Sequence, residues 1–196
     1  LRVLQLNSIG FVQRIEEHDD FKNYMLNYID GQPYQSIEFK SQDYVSNTDW
    51  NDRHTDREYV NEFSILLEPY LKNISNRLYV NGLSIDNMWF QQYSTNSKHQ
   101  WHIHAKSNWS AIYYVQLPDA NMKTLLWDYQ QHKILDEIEL KEGELFVFPA
   151  NMIHCSPPNF TNDKKTVIAF NMNGGDVTQI ENWNDEYDKK YWTPPN

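Results

Sequence analysis

From about Leu83 to Met172 the chain reads as a succession of short strand-forming segments divided by turn residues, and this pattern constrains its fold more than any other feature. Gly143 opens an apolar run, Leu145-Phe146-Val147-Phe148, and Pro149 stops it. Proline lacks the amide a ladder needs, so the run ends in a turn. Farther on, Lys165, Val167, Ala169 and Asn171 alternate onto one face of a second strand, since side chains two apart share a side. Many short strands with turn signals between them indicate a sandwich or closed barrel.

The first part of the chain has a different period. A short strand is expected near Ile9 to Ile15, then a helix capped by Asp19 or Asp20 and ended by Gly31. Its apolar stripe is Phe21, Tyr24, Met25, Tyr28 and Ile29. A polar, turn-rich stretch covers Gln32 to Thr55. A second amphipathic helix runs from about Asp56 to Tyr79, burying Tyr59, Val60, Phe63, Leu66, Leu67, Leu71, Ile74 and Leu78, and Pro69 should kink or divide it. The tail from Gly174 to Asn196 sets Trp183, Tyr187, Tyr191 and Trp192 in a polar background. It is expected to pack back on the body, with a lid over the site as a second option. The expected organisation is one domain: residues 1–82 a strand and helix layer, residues 83–173 the β core, residues 174–196 the tail.

Within the β core stand His102-Ile103-His104 and, some fifty residues later, His154. On a strand His102 and His104 face the same way, and two imidazoles side by side can grip one transition metal. A third histidine on a later strand or turn closes the site and leaves coordination positions open, the pattern of a catalytic metal centre. With seven histidines in the chain, a chance pair on a surface is the alternative. His99 is out of phase with the pair and should point away. His132 belongs to a hairpin turn, Tyr129 to His132, and His18 and His54 carry no partner signal. Asp128 is the nearest carboxylate in the strand run and reads as a turn residue rather than a ligand. Lys165 is a candidate anchor for a carboxylate, with Lys164 facing the opposite way on a regular strand. Gln91 and Tyr93 share a face with Trp89 and are candidates for bonding a co-substrate or substrate, against an ordinary core role. Of Tyr113 and Tyr114, at most one can line a pocket.

These pieces occur together as Trp89-Phe90-Gln91, Trp101-His102-Ile103-His104, Ser110-Ala-Ile-Tyr-Tyr-Val-Gln-Leu-Pro118, Gly143-Glu-Leu-Phe-Val-Phe-Pro149, His154 and Lys165-Thr-Val-Ile-Ala-Phe-Asn171. In that order they resemble the 2-oxoglutarate/Fe(II)-dependent oxygenases of the double-stranded β-helix superfamily. The resemblance spans Trp89 to Asn171, under half of the chain. It implies a mainly β fold with flanking α-helices, a double-stranded β-helix core of the jelly-roll, cupin-like kind under an N-terminal helical layer. It also implies a hydroxylase using Fe(II), 2-oxoglutarate and O2 and releasing succinate and CO2. His102, His104 and His154 would be the metal ligands and Lys165 the anchor of the distal carboxylate, with Gln91 and Tyr93 beside the co-substrate. The chain departs from the pattern at four places. His104 stands where the superfamily usually has a carboxylate, Lys165 where the motif has Arg, Val167 where it has Ser, and Ala111 where it has Gly. Two other readings remain: a cupin-type three-histidine metalloenzyme without 2-oxoglutarate, and a non-catalytic jelly-roll binding module.

Composition narrows the partners. The net charge of −10 opposes a general grip on nucleic acid or anionic membrane, so a small molecule or polypeptide segment is the expected substrate. Aromatics at 15% favour apolar or ring-bearing partners. No apolar run has the length of a membrane span. Cys155 is the single cysteine, which excludes an internal disulfide and suits a reducing, cytoplasmic compartment. It reads as a bystander to His154. The oligomeric state is left open, with a homodimer among the options.

Overall fold

The structure, a computed structural model, describes residues 9–33, 36–39 and 43–178. In chain order its elements are β1 (Phe11–Arg14), α1 (His18–Asp30), β2 (Ile37–Phe39), β3 (Asp43–Val45), β4 (Asn47–Thr48), α2 (Glu58–Leu78), β5 (Leu83–Tyr93), β6 (His99–His102) and β7 (Trp109–Gln116). There follow β8 (Leu125–Asp128), β9 (Lys133–Leu135), β10 (Glu144–Pro149), β11 (His154–Ser156) and β12 (Lys165–Gly174). Two antiparallel sheets carry the fold, one ordered β1-β10-β7-β12-β5-β4 and the other β6-β11-β8-β9. From β5 onward the chain passes from the larger sheet to the smaller and back repeatedly, which is the double-stranded β-helix expected from the sequence.

The helices cover one face of the larger sheet. Phe21, Met25 and Ile29 of α1 and Tyr59, Phe63, Leu67 and Ile74 of α2 are buried in one cluster with Phe90, Tyr113, Val115, Ile168 and Phe170. Helix α1 begins at His18, so Asp19 and Asp20 occupy its first turn instead of capping it, and no side chain caps its N-terminus. There the carboxylates still meet the positive end of the helix dipole. Helix α2 runs through Pro69 without division. Pro69 lies on the exposed flank, where water can satisfy the carbonyl deprived of its amide.

The N-terminal part is less purely helical than its sequence suggests. β1 pairs with β10 and β4 with β5, so residues before Leu83 form both edges of the larger sheet. The stretch expected to be turns includes β4, whose Thr48 donates to the Phe90 carbonyl. Asp49 follows it, buried, accepting from Arg57, from the Tyr59 hydroxyl at 2.8 Å and from the Phe90 amide at 2.8 Å. These bonds tie the start of α2 to β5. The aromatic tail lies beyond the described residues.

Candidate metal centre

Between the sheets is a small, partly open chamber, about 30 Å³ in free volume, bordered by side chains of β5, β6, β7, β10, β11 and β12. Its larger-sheet wall follows from strand alternation. Trp89, Gln91 and Tyr93 of β5 and Lys165, Val167, Ala169 and Asn171 of β12 line it, while Phe90, Ile168 and Phe170 turn toward the helices, although Phe170 also borders the chamber.

The smaller sheet supplies the histidines. His102 and His154 are direct cross-strand partners, and their ring centroids lie 4.2 Å apart. His104 lies two residues beyond the end of β6 and reaches the same place by another route. Its amide donates to the Ala150 carbonyl at 2.8 Å, and its ring stands 5.1 Å from those of both His102 and His154. One ligating nitrogen from each of the three lies within 4.8 Å of the others. Neighbouring nitrogens bound to a common ion at about 2.1 Å sit ~3.0–3.4 Å apart, so the three rings would draw together around it.

The surroundings suit a metal. Nδ1–H of His102 donates to the Gln100 carbonyl at 2.7 Å, and Nδ1–H of His154 to the Met152 carbonyl at 2.8 Å, which assigns Nε2 in each as the lone-pair nitrogen. Burial, reinforced by the charge of His102, lowers the pKa of His104 to about 4 and holds that of His154 well below the usual range. Metals bind neutral imidazole, so this environment keeps the rings in ligand form. No acidic residue lines the chamber among the described residues. The Asp128 carboxylate instead accepts from the amides of Gln130 and Gln131 at 2.7 and 3.1 Å, closing the β8–β9 turn as expected. The donor set therefore fits a divalent transition metal held by three neutral nitrogens.

Lys165 is 1% exposed and forms the other end of the chamber. Its ammonium donates to the Ser156 hydroxyl at 2.8 Å and lies 5.0 Å from the centre of the Tyr93 ring. Burial lowers its pKa to about 7. Lys164 is exposed, so the regular-strand expectation for the pair holds. The Tyr93 hydroxyl donates to Gln91 Oε1 at 2.9 Å, which places both residues on the same wall. Neither Tyr113 nor Tyr114 borders the chamber: Tyr113 pairs with His18 at 2.6 Å, and Tyr114 accepts from the Thr124 amide at 3.0 Å.

Two expectations need correction. His99 does not point away; it lines the chamber, its ring 4.0 Å from that of His102. The register explains this. His154 faces His102 but Ser156 faces His99, so two steps on β11 match three on β6, and the resulting bulge reverses the phase of His99. His18, for which the sequence offered no partner, is buried against Tyr113 and Glu142 as part of the helix-to-sheet contact. Ser156, the hydrogen-bond partner of Lys165, went unread, although its spacing of two from His154 was a usable signal. Cys155 is a buried thiol with its pKa raised to about 11 by desolvation.

Solved structures share this fold at low identity. A 2OG-Fe(II) oxygenase family oxidoreductase from Burkholderia pseudomallei superposes with a TM-score of 0.65 at 11% identity, covering 85% of this chain and 87% of its own. A Pseudomonas putida prolyl-4-hydroxylase gives 0.58 at 12% identity, covering 83% and 91%. The viral collagen prolyl hydroxylase of Paramecium Bursaria Chlorella virus-1, in its 2OG complex, gives 0.54 at 10%, covering 84% and 96%. No curated protein sequence matches the chain. The fold these structures share is the double-stranded β-helix. Residues 87–171 match the model of the family described as "Putative 2OG-Fe(II) oxygenase", the family the motifs resemble. The chain is accordingly an oxygenase whose cofactors are Fe(II), 2-oxoglutarate and O2, and its substrate is not specified by the match.

Proposed function

We propose that His102, His104 and His154 hold the Fe(II), that Lys165 receives the distal carboxylate of 2-oxoglutarate, and that Gln91 and Tyr93 flank the co-substrate between them. The observation that carries this reading is the position of a buried lysine and an imidazole triad on the borders of one chamber. Bound iron would supply O2 activation and the oxidative decarboxylation of 2-oxoglutarate to succinate and CO2. The chain's own residues have simpler tasks. The carbonyls of Gln100 and Met152 orient two ligands. Ser156 and Tyr93 hold the Lys165 ammonium ready for an anion, and Val167, Ala169 and Phe148 keep the chamber dry. The dicarboxylate would span the chamber from the imidazole triad to Lys165. His99, half-buried, borders both the chamber and an outer cleft of about 270 Å³.

The substrate in this reading is a small molecule or a polypeptide segment rather than nucleic acid, on account of the −10 charge. Trp101 and Ile103, 40% and 47% exposed, flank His102 in the chain, and Trp101 packs edge-on against Trp127 at 6.4 Å. The 15% aromatic content of the chain favours an apolar or ring-bearing group. Among the described residues no helix is long and apolar enough to cross a membrane. A cytoplasmic location and a one-domain organisation of residues 1–196 belong to the same proposal.

The test is calorimetry of 2-oxoglutarate binding to metal-loaded protein. Lys165→Glu should abolish binding by setting a carboxylate against a carboxylate, Lys165→Arg should retain it, and Lys164→Glu should leave it unchanged. Binding that survives Lys165→Glu, or that disappears with Lys164→Glu alone, would contradict the assignment.

A further inference from the structure

One wall residue of the chamber has a donor that the protein itself does not satisfy. The indole of Trp89 is 3% exposed, and its Nε1–H meets no acceptor in the structure. A buried donor left unpaired costs roughly 1–3 kcal/mol, so buried donors normally have partners. The other two such groups among the described residues, Tyr24 Oη and Ser97 Oγ, lie away from the chamber; Trp89 borders it. Its ring stands 5.9 Å from that of His104 with 30° between the planes, at the metal end. Trp50 packs edge-on behind it at 4.5 Å, with the Arg53 guanidinium 4.0 Å over Trp50, so the indole is backed in place. Its cross-strand neighbour on β12 is Ala169, which lines the chamber beside it. The nearby polar groups are already engaged. Ser110 donates to Asn171 Oδ1 at 2.9 Å, and Asn171 Nδ2 donates to Asn87 Oδ1 at 2.9 Å. Trp89 is therefore a fully buried donor left to a ligand at this end.

We propose that Trp89 Nε1–H donates a hydrogen bond to the carboxylate of 2-oxoglutarate at the metal end of the chamber. This rests on the reading above, in which Lys165 holds the opposite carboxylate. The chain then grips the dicarboxylate at both ends, with a fixed neutral donor at one and a buried cation at the other. A neutral donor suits the metal end, where a second cation would oppose the metal's own charge.

The proposal is tested by NMR of 15N-indole-labelled protein loaded with diamagnetic Zn(II), with the Trp89 signal assigned by its loss in Trp89→Phe and Trp89→Tyr. Added 2-oxoglutarate should move that signal downfield and slow its exchange with water. Pyruvate, which keeps the 2-oxo-acid end and lacks the distal carboxylate, should move it too, with no dependence on Lys165. In calorimetry Trp89→Phe should weaken 2-oxoglutarate binding roughly tenfold or more while leaving Zn(II) affinity unchanged, since the lost bond is to a charged acceptor. If 2-oxoglutarate binds in a Lys165-dependent manner while the Trp89 signal stays in place, this inference fails and the co-substrate assignment stands. If 2-oxoglutarate does not bind at all, both fall.

Discussion

The two faces of the larger sheet are made by the same strands and are built for opposite purposes. On the helix side Phe90, Tyr113, Ile168 and Phe170 interlock with Phe21, Phe63 and Leu67, and the cluster is almost wholly apolar. On the chamber side the intervening residues include Gln91, Lys165 and Asn171, all buried and polar. Burying such groups costs free energy even when they are bonded. The difference teaches that the helical layer supplies apolar burial that offsets a chamber face rich in buried polar groups, the face assigned to ligands in the proposed function.

The contrast is open to attack first on the helix side. Phe63 is fully buried, stacked on Phe21 at 4.7 Å and 4.9 Å from Tyr113. Phe63→Ala should lower unfolding stability by about 3–5 kcal/mol in denaturant titration. A loss under about 1 kcal/mol would mean the helical layer is not where stability resides.

Lys165 should behave in the opposite sense. In metal-free protein its folded pKa of about 7 lies below the ordinary 10.5, so the unfolded chain binds the proton more tightly. The charge therefore destabilises the fold fully below about pH 7, and the penalty fades as pH rises toward 10.5. Lys165→Met should raise metal-free stability at pH 7, by an amount on the order of 1–4 kcal/mol, and flatten the rise toward alkaline pH. Chemical denaturation across that window checks both, and an unchanged slope would place the ammonium in water.

At the metal, His154→Ala should eliminate stoichiometric binding by elemental analysis, with the metal-free fold intact by circular dichroism. His104→Ala should lose most affinity, whereas His104→Asp should keep metal because a carboxylate oxygen is also a competent ligand. The smallest effect is expected at Asp128. Asp128→Asn should leave metal content unchanged, since its carboxylate is engaged with the β8–β9 turn. Loss of metal there would make Asp128 the acidic ligand after all.

Much of this was legible from local patterns. The period of two placed Lys165, Val167, Ala169 and Asn171 on one face, and the Gly143-to-Pro149 run became β10, with Gly143 at φ +81°, where a Cβ would be strained. His102 and His154 follow from the same logic. Three features were hidden because they depend on pairing at a distance. The bulge that turns His99 inward exists only when β6 meets β11. β4 is two residues long and gains its identity from β5. The continuity of α2 through Pro69 reflects how much of that helix is fixed by tertiary contact. His104 joins the other two histidines by a route the strand pattern did not show: it lies past the strand, steered by its bond to Ala150.

The central claim, that imidazole triad and buried lysine serve one co-substrate, is tested most directly by titrating anaerobic Fe(II)-loaded protein with 2-oxoglutarate and recording its visible absorption. A 2-oxo acid chelating Fe(II) gives a metal-to-ligand charge-transfer band. The account predicts that band at one equivalent of 2-oxoglutarate per iron, absent in His102→Ala and in Lys165→Glu, and present in Lys164→Glu. A band that persists unchanged in Lys165→Glu, or no band from wild-type protein at saturating 2-oxoglutarate, would contradict it.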